Sequence, residues 1–132
     1  MNNIQEELKR GSKFLKENFI NTYKIDSELL LSKVLNKERE YLFLNYKENL
    51  SNELINNFEN LLKRRKKKEP VAYILNCKEF WKNNFYVDQN VLIPRPDTET
   101  LVEEIMKLYG KQKKLSILDV GTGSGCIIIS IL

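Results

Sequence analysis

Asp119, Gly121, Gly123 and Gly125 stand at every second position, at the end of a short apolar run, SILDV, that fills residues 116–120. A run of this length feeding a glycine cluster reads as a buried parallel strand that enters a nucleotide-binding turn. Glycine suits such a turn because the backbone must adopt angles that a Cβ forbids, and because a bulky ligand must approach the main chain closely. A dinucleotide fingerprint would put its third glycine at position 126, which holds Cys126; a phosphate-binding P-loop would need glycine, lysine and a hydroxyl residue at 126–128, which hold Cys126, Ile127 and Ile128. Asp119 also argues against a pyrophosphate, since its charge repels the phosphates that a glycine turn and a helix N-terminus attract. The loop suits a cationic ligand without phosphate.

S-adenosylmethionine, with a sulfonium and an ammonium group, is such a ligand, and DxGxGxG resembles the first motif of class I methyltransferases. On that reading Asp119, Gly121, Thr122, Gly123, Ser124 and Gly125 line the cofactor, with the glycines as its floor. The alternatives are another nucleotide-binding Rossmann domain, or a strand and turn with no ligand. No residue of the chain is assigned a catalytic role, and no metal site is expected. There is no histidine, and Cys77 and Cys126 lie far apart in unrelated contexts, so neither zinc spacing nor a Cys/His nucleophile can be built.

The elements that must position this loop begin far upstream. Apolar Ile4, Leu8, Leu15 and Phe19, with small Gly11 in the same stripe, predict an amphipathic helix over residues 2–20. Asp26 reads as the N-cap of a second helix carrying Leu29, Leu30, Leu31, Val34 and Leu35 and closing near Asn36. Residues 38–44 give a short third helix. Ser51 caps a fourth with Leu54, Ile55, Phe58, Leu61 and Leu62, and Pro70 opens a last turn that runs to Leu75. The basic run KRRKKK at residues 63–68 reads either as a solvated helix end whose cations complement the dipole, or as a contact for RNA or an acidic partner.

From residue 78 the period changes. Phe80, Trp81, Phe85, Tyr86 and Val87 flank Asn83 and Asn84, which predicts a β-hairpin turning at the two asparagines, its aromatics used for packing. Pro94, Arg95 and Pro96 stiffen the chain; Asp97 or Thr98 then caps a helix with Leu101, Val102, Ile105, Leu108 and Tyr109 that ends at Gly110. The expected class is α/β, comprising a helical bundle at 1–75, a β-hairpin linker at 76–93, and at 94–132 the start of a Rossmann-like methyltransferase domain. A doubly wound sheet needs further βα units, so the chain reads as the front part of a longer protein. The net charge of +4 therefore does not argue for nucleic acid. The amino terminus lacks a signal pattern, and no apolar stretch reaches the ~18 residues of a membrane span, so a cytoplasmic protein is expected.

EPVAYIL at 69–75, EFW at 79–81, VLIPRPDTE at 91–99 and ILDVGTGSG at 117–125, together with DSELLL at 26–31, closely resemble the release factor glutamine methyltransferases, the family called HemK or PrmC. The resemblance covers nearly the whole chain. It implies transfer of a methyl group from S-adenosylmethionine to the side-chain amide nitrogen of the GGQ glutamine of peptide chain release factors, with the helical bundle helping to recognise that partner. Pro94, Arg95 and Pro96 match the family's IPRP segment, a substrate-side arm, in which Arg95 either makes an ion pair that fixes the arm or acts near cofactor or substrate. The family's NPPY motif and its ribose-binding acid have no counterpart in these residues, so the 132-residue chain alone is expected to be inactive. Two rival readings are a non-enzymatic helical module that binds a translation factor or RNA, and a nucleic-acid amino-methyltransferase.

Overall fold

The computed structural model describes residues 2–111 and 114–132, which fall into two units, Met1–Leu75 and Asn76–Leu132. The first helix, α1 (Ile4–Glu17), starts at a capping box: the Asn3 side chain accepts from the Glu6 N–H and the Glu6 carboxylate accepts from the Asn3 N–H, each at 2.9 Å. The next two orphan donors, on Ile4 and Gln5, reach the carbonyls of Glu48 and Tyr46 at 3.0 Å, which ties the helix start to the segment before the fourth helix. At the other end the Phe19 N–H bonds to the Lys16 carbonyl and the Ile20 N–H to the Leu15 carbonyl, with Leu15 and Ile20 both buried. This is a Schellman closure with phenylalanine, φ 59°, where glycine is usual.

Helix α2 (Tyr23–Leu35) is followed by Asn36 in the left-handed conformation, then α3 (Arg39–Leu44), α4 (Asn52–Lys66) and α5 (Val71–Leu75). Ser51 caps α4 as its type and place suggest, its hydroxyl accepting from the Leu54 N–H at 3.3 Å. Asp26 is not an N-cap. The helix starts three residues earlier, and Asp26 is buried in its first turn, where Oδ2 accepts from the Thr22 hydroxyl and from Arg65 Nε, both at 2.8 Å. A carboxylate there complements the helix dipole and meets a cation from α4, two gains that a capping position would not combine.

Ile4, Leu15, Leu30, Leu31, Leu42, Phe58, Leu62 and Ile74 are among the buried side chains that form the core of this unit. Gly11 is needed at the crossing of three helices: a Cβ there would lie 2.7 Å from both the Phe58 ring and the Ser27 hydroxyl.

In the second unit β1 (Lys78–Phe80) pairs antiparallel with β2 (Asn83–Phe85), Phe80 opposite Asn83 and Lys78 opposite Phe85. The turn therefore lies at Trp81 and Lys82, two residues before the asparagine pair that the sequence suggested. Trp81 takes φ 55°, and that geometry sends its N–H to the Glu99 carboxylate at 2.9 Å while its ring packs on the local core. These contacts offset the roughly 1–2 kcal/mol that a left-handed residue costs. A 3-10 turn at Pro96–Thr98 leads into α6 (Glu99–Tyr109), and α7 (Cys126–Ile131) ends the described chain but for Leu132. Phe80, Phe85, Val102 and Cys126 are buried together, the two phenyl rings edge to face at 6.1 Å, with Trp81, Ile127 and Ile131 partly covered against them.

Two local expectations change. Gly110 closes α6 in a right-handed conformation, φ −60°, with its N–H on the Met106 carbonyl at 2.9 Å. Residues 116–120 are not a strand, since among the described residues no other segment pairs with them, and Leu118 and Val120 are each 86% exposed. A parallel strand is defined by its neighbours, and the hairpin, the one sheet among the described residues, does not supply them. The fold is mostly helical with a two-stranded hairpin.

Candidate functional site

The loop that follows residues 116–120 is built by its glycines. Gly121, Gly123 and Gly125 have φ of 79°, 57° and 78°, a region that side chains with a Cβ rarely enter. The alternation turns the chain sharply, and two hydrogen bonds hold it: the Thr122 hydroxyl donates to the Asp119 carbonyl at 3.1 Å, and the Gly125 N–H donates to the Thr122 carbonyl at 2.9 Å. Gly125 is the N-cap of α7, and its carbonyl accepts from the Ile129 N–H at 3.0 Å. Gly121 and Gly123 have open space where a Cβ would stand, apart from one carbonyl 3.9 Å away. Backbone conformation, rather than crowding, requires glycine at these two positions.

Two polar atoms in the loop lack partners among the described residues. Asp119 Oδ2 and Ser124 Oγ are screened from solvent yet make no hydrogen bond. A screened carboxylate oxygen without a donor costs free energy that an incoming cation or hydroxyl would recover. The group suggested by the sequence, a sulfonium cofactor with a ribose and an ammonium, offers both kinds of partner and carries no phosphate for Asp119 to repel. The residues present fit it.

The proline arm is positioned separately. Pro94 is buried, Arg95 and Pro96 are exposed, and the Arg95 carbonyl accepts from the Thr98 N–H at 3.0 Å to open the 3-10 turn. Among the described residues the Arg95 guanidinium makes no ion pair, so the arm is fixed by its prolines and its turn. No hydrogen bond or ion pair joins the arm to the glycine loop among the described residues.

The helical unit carries features that could meet a partner. Most of the basic run is engaged within the unit. Arg64 pairs with Glu69 at 2.5 Å, which holds the Glu69 carboxyl below its ordinary range. Arg65 binds buried Asp26 and the Glu69 carbonyl. Lys66 Nζ lies 5.6 Å from the centre of the Phe14 ring, and Lys68 Nζ donates to the Asn18 and Phe19 carbonyls at 3.0 and 2.9 Å. Among the described residues Lys63 and Lys67 make no ion pair, hydrogen bond or ring contact of this kind. Elsewhere in this unit an open groove of about 610 Å³ runs along α1, α2 and α3, lined in part by Leu8, Lys9, Lys24, Leu42, Phe43 and Tyr46.

Residues 6–75 match the PrmC N-terminal domain. The chain belongs to that family. Over 129 residues the chain is 45% identical to a release factor glutamine methyltransferase of Coxiella burnetii, covering 98% of this chain and 44% of the relative. It is 40% identical over 125 residues to the protein of the same name from Leptospira interrogans, covering 94% of this chain and 44% of the relative. A bifunctional methyltransferase of Rickettsia conorii is 39% identical over 137 residues, covering 86% of this chain and 26% of the relative. The chain thus spans less than half the length of these relatives.

The PrmC N-terminal domain match ends at Leu75, the last residue of the first compact unit. Within that domain, sequence reasoning missed the pairing of Asp26 with Arg65 and the groove. The first joins residues 39 apart in the chain, and the second is assembled from three helices, each of whose stripes is read separately. A faint signal was present for the groove: Phe43, 56% exposed, is adjacent to buried Leu42 on a six-residue helix that can bury only one face.

Proposed function

We propose that the chain is the amino-terminal part of an S-adenosylmethionine-dependent methyltransferase that modifies the glutamine side-chain amide of peptide chain release factors in the cytoplasm. Residues 1–75 serve as the substrate-recognition domain, 76–93 as a linker, and 94–132 as the start of a Rossmann-like catalytic domain. The observation that carries this reading is the loop at residues 119–125, whose three left-handed glycines and unpaired Asp119 and Ser124 oxygens lie in a sequence that aligns with methyltransferases of that name over 94% and 98% of the chain.

The cofactor, when bound, supplies an electrophilic methyl group on its sulfonium. Asp119 offers a carboxylate oxygen to the cationic portion, Ser124 offers a hydroxyl, Thr122 holds the turn in shape, and Gly121, Gly123 and Gly125 keep the main chain free of Cβ atoms on the ligand side. Pro94, Arg95 and Pro96 form a stiff arm on the substrate side. An amide nitrogen is a weak nucleophile because its lone pair is delocalised, so alignment with the methyl carbon is the main catalytic need, worth on the order of several kcal/mol. The groups that align it are not assigned to this chain.

A chimera tests the reading. Residues 1–132 replace the matching part of the Coxiella burnetii relative, and transfer of labelled methyl groups to an unmodified bacterial release factor is measured. Incorporation at the glutamine is expected, with cofactor binding by calorimetry weakened at least tenfold by Gly123→Val, since a β-branched residue at φ 57° must distort the turn. A correctly folded chimera that transfers nothing, beside an active parent, overturns the proposal.

A further inference from the structure

The groove along α1, α2 and α3 combines apolar lining with an unbalanced charge. Leu8 and Leu42 contribute partly and fully buried apolar surface, while Phe43 and Tyr46 are exposed aromatic residues. Lys9 and Lys24 also line it, and among the described residues neither makes an ion pair. The one carboxylate in the lining, on Glu28, is already held by Arg39 through Nη2 at 2.5 Å and Nε at 3.2 Å. The groove therefore presents free positive charge beside apolar surface.

We propose that this groove docks a protein segment that places an aliphatic side chain between carboxylates. The inference rests on the release-factor reading and names the surface that would hold that partner. Charge complementarity selects the flanking acids, and the Leu8 and Phe43 surface selects the apolar residue between them. A nucleic acid fits less well. Affinity for nucleic acid comes largely from many neutralised phosphates, whereas the groove lining offers two ammonium groups and the arginines of the helical unit are occupied: Arg10 by Glu7 and Glu59, Arg39 by Glu28, Arg64 by Glu69 and Arg65 by Asp26.

The test uses the 132-residue chain, immobilised, with an unmethylated bacterial release factor as the probe and single-stranded poly(U) as a second analyte. Phe43→Ala and the double variant Lys9→Glu/Lys24→Glu are compared with the parent, with thermal unfolding confirming that these exposed substitutions leave the fold intact. The expected result is at least tenfold weaker binding of the release factor for Phe43→Ala. For the double variant a several-fold slower association is expected, with the difference disappearing at high salt. Binding of equal strength by all three proteins overturns the groove and leaves the release-factor reading in place. Absence of binding by the parent chain overturns both. Poly(U) binding that is lost in the same variants, or self-association of the parent that is lost in them, overturns the proposal in favour of RNA or a second copy of the chain.

Discussion

Phe19 is held in a left-handed conformation with its side chain 87% exposed, so it carries backbone strain without a packing return within its unit. Its place is C′ of a Schellman closure, which glycine occupies without strain. Phe19→Gly is therefore expected to stabilise the helical unit by about 1 kcal/mol, the left-handed cost less the extra freedom of an unfolded glycine. A higher urea midpoint at unchanged slope is the readout, and a lower midpoint would show that the ring makes a stabilising contact. At this scale the sequence was informative where one residue type has one physical use. Three alternating glycines do have positive φ, and Ser51 does cap. It was uninformative where a side chain has several uses: Asp26 could cap a helix or pair with a cation, and its neighbours alone do not say which. Phenylalanine at 19 looked like the end of an apolar stripe because stripe position says nothing about φ.

The C-terminal end of α4 shows how an element divides a charge run between two roles. Residues 63–68 look uniform in sequence, yet Lys68 caps the carbonyls that end α1, whereas Lys67 makes no such bond. Lys68→Gln should lower stability by about 1 kcal/mol, the typical net value of a hydrogen bond to a charged donor at a helix end. Lys67→Gln should be neutral within about 0.5 kcal/mol, as exposed substitutions usually are. Thermal melts of the two variants separate these outcomes, and equal behaviour would return the whole run to the solvated-face reading. The first helices were legible because 3.6-residue periodicity needs no knowledge of distant partners. The hairpin was legible as an element but not in register, because its turn was decided by the Trp81 N–H and the Glu99 carboxylate, 18 residues apart. Residues 116–120 have the composition of a strand, but such a segment becomes a strand only against a neighbour.

At the scale of the molecule the two units differ in how completely they cover their apolar residues. The first has a core drawn from all five of its helices. The second buries Phe80, Phe85, Val102 and Cys126 while Leu118, Val120 and Leu132 are left open. Exposed apolar surface of this kind favours association. The 132-residue chain is expected to show a helical circular dichroism spectrum, to self-associate in sedimentation experiments, and to transfer no methyl group to release factor by itself. Leu118→Lys with Val120→Lys should restore the monomer, and unchanged association in that variant would place the sticky surface elsewhere. The left-handed turn of the hairpin has one more consequence. Trp81 is the sole indole in the sequence, it is half-buried against the smaller core, and five of the seven α-helices among the described residues belong to the other unit. Emission wavelength and far-ultraviolet ellipticity therefore watch different halves of one polypeptide, so a single unlabelled sample can reveal whether the halves melt in step or apart.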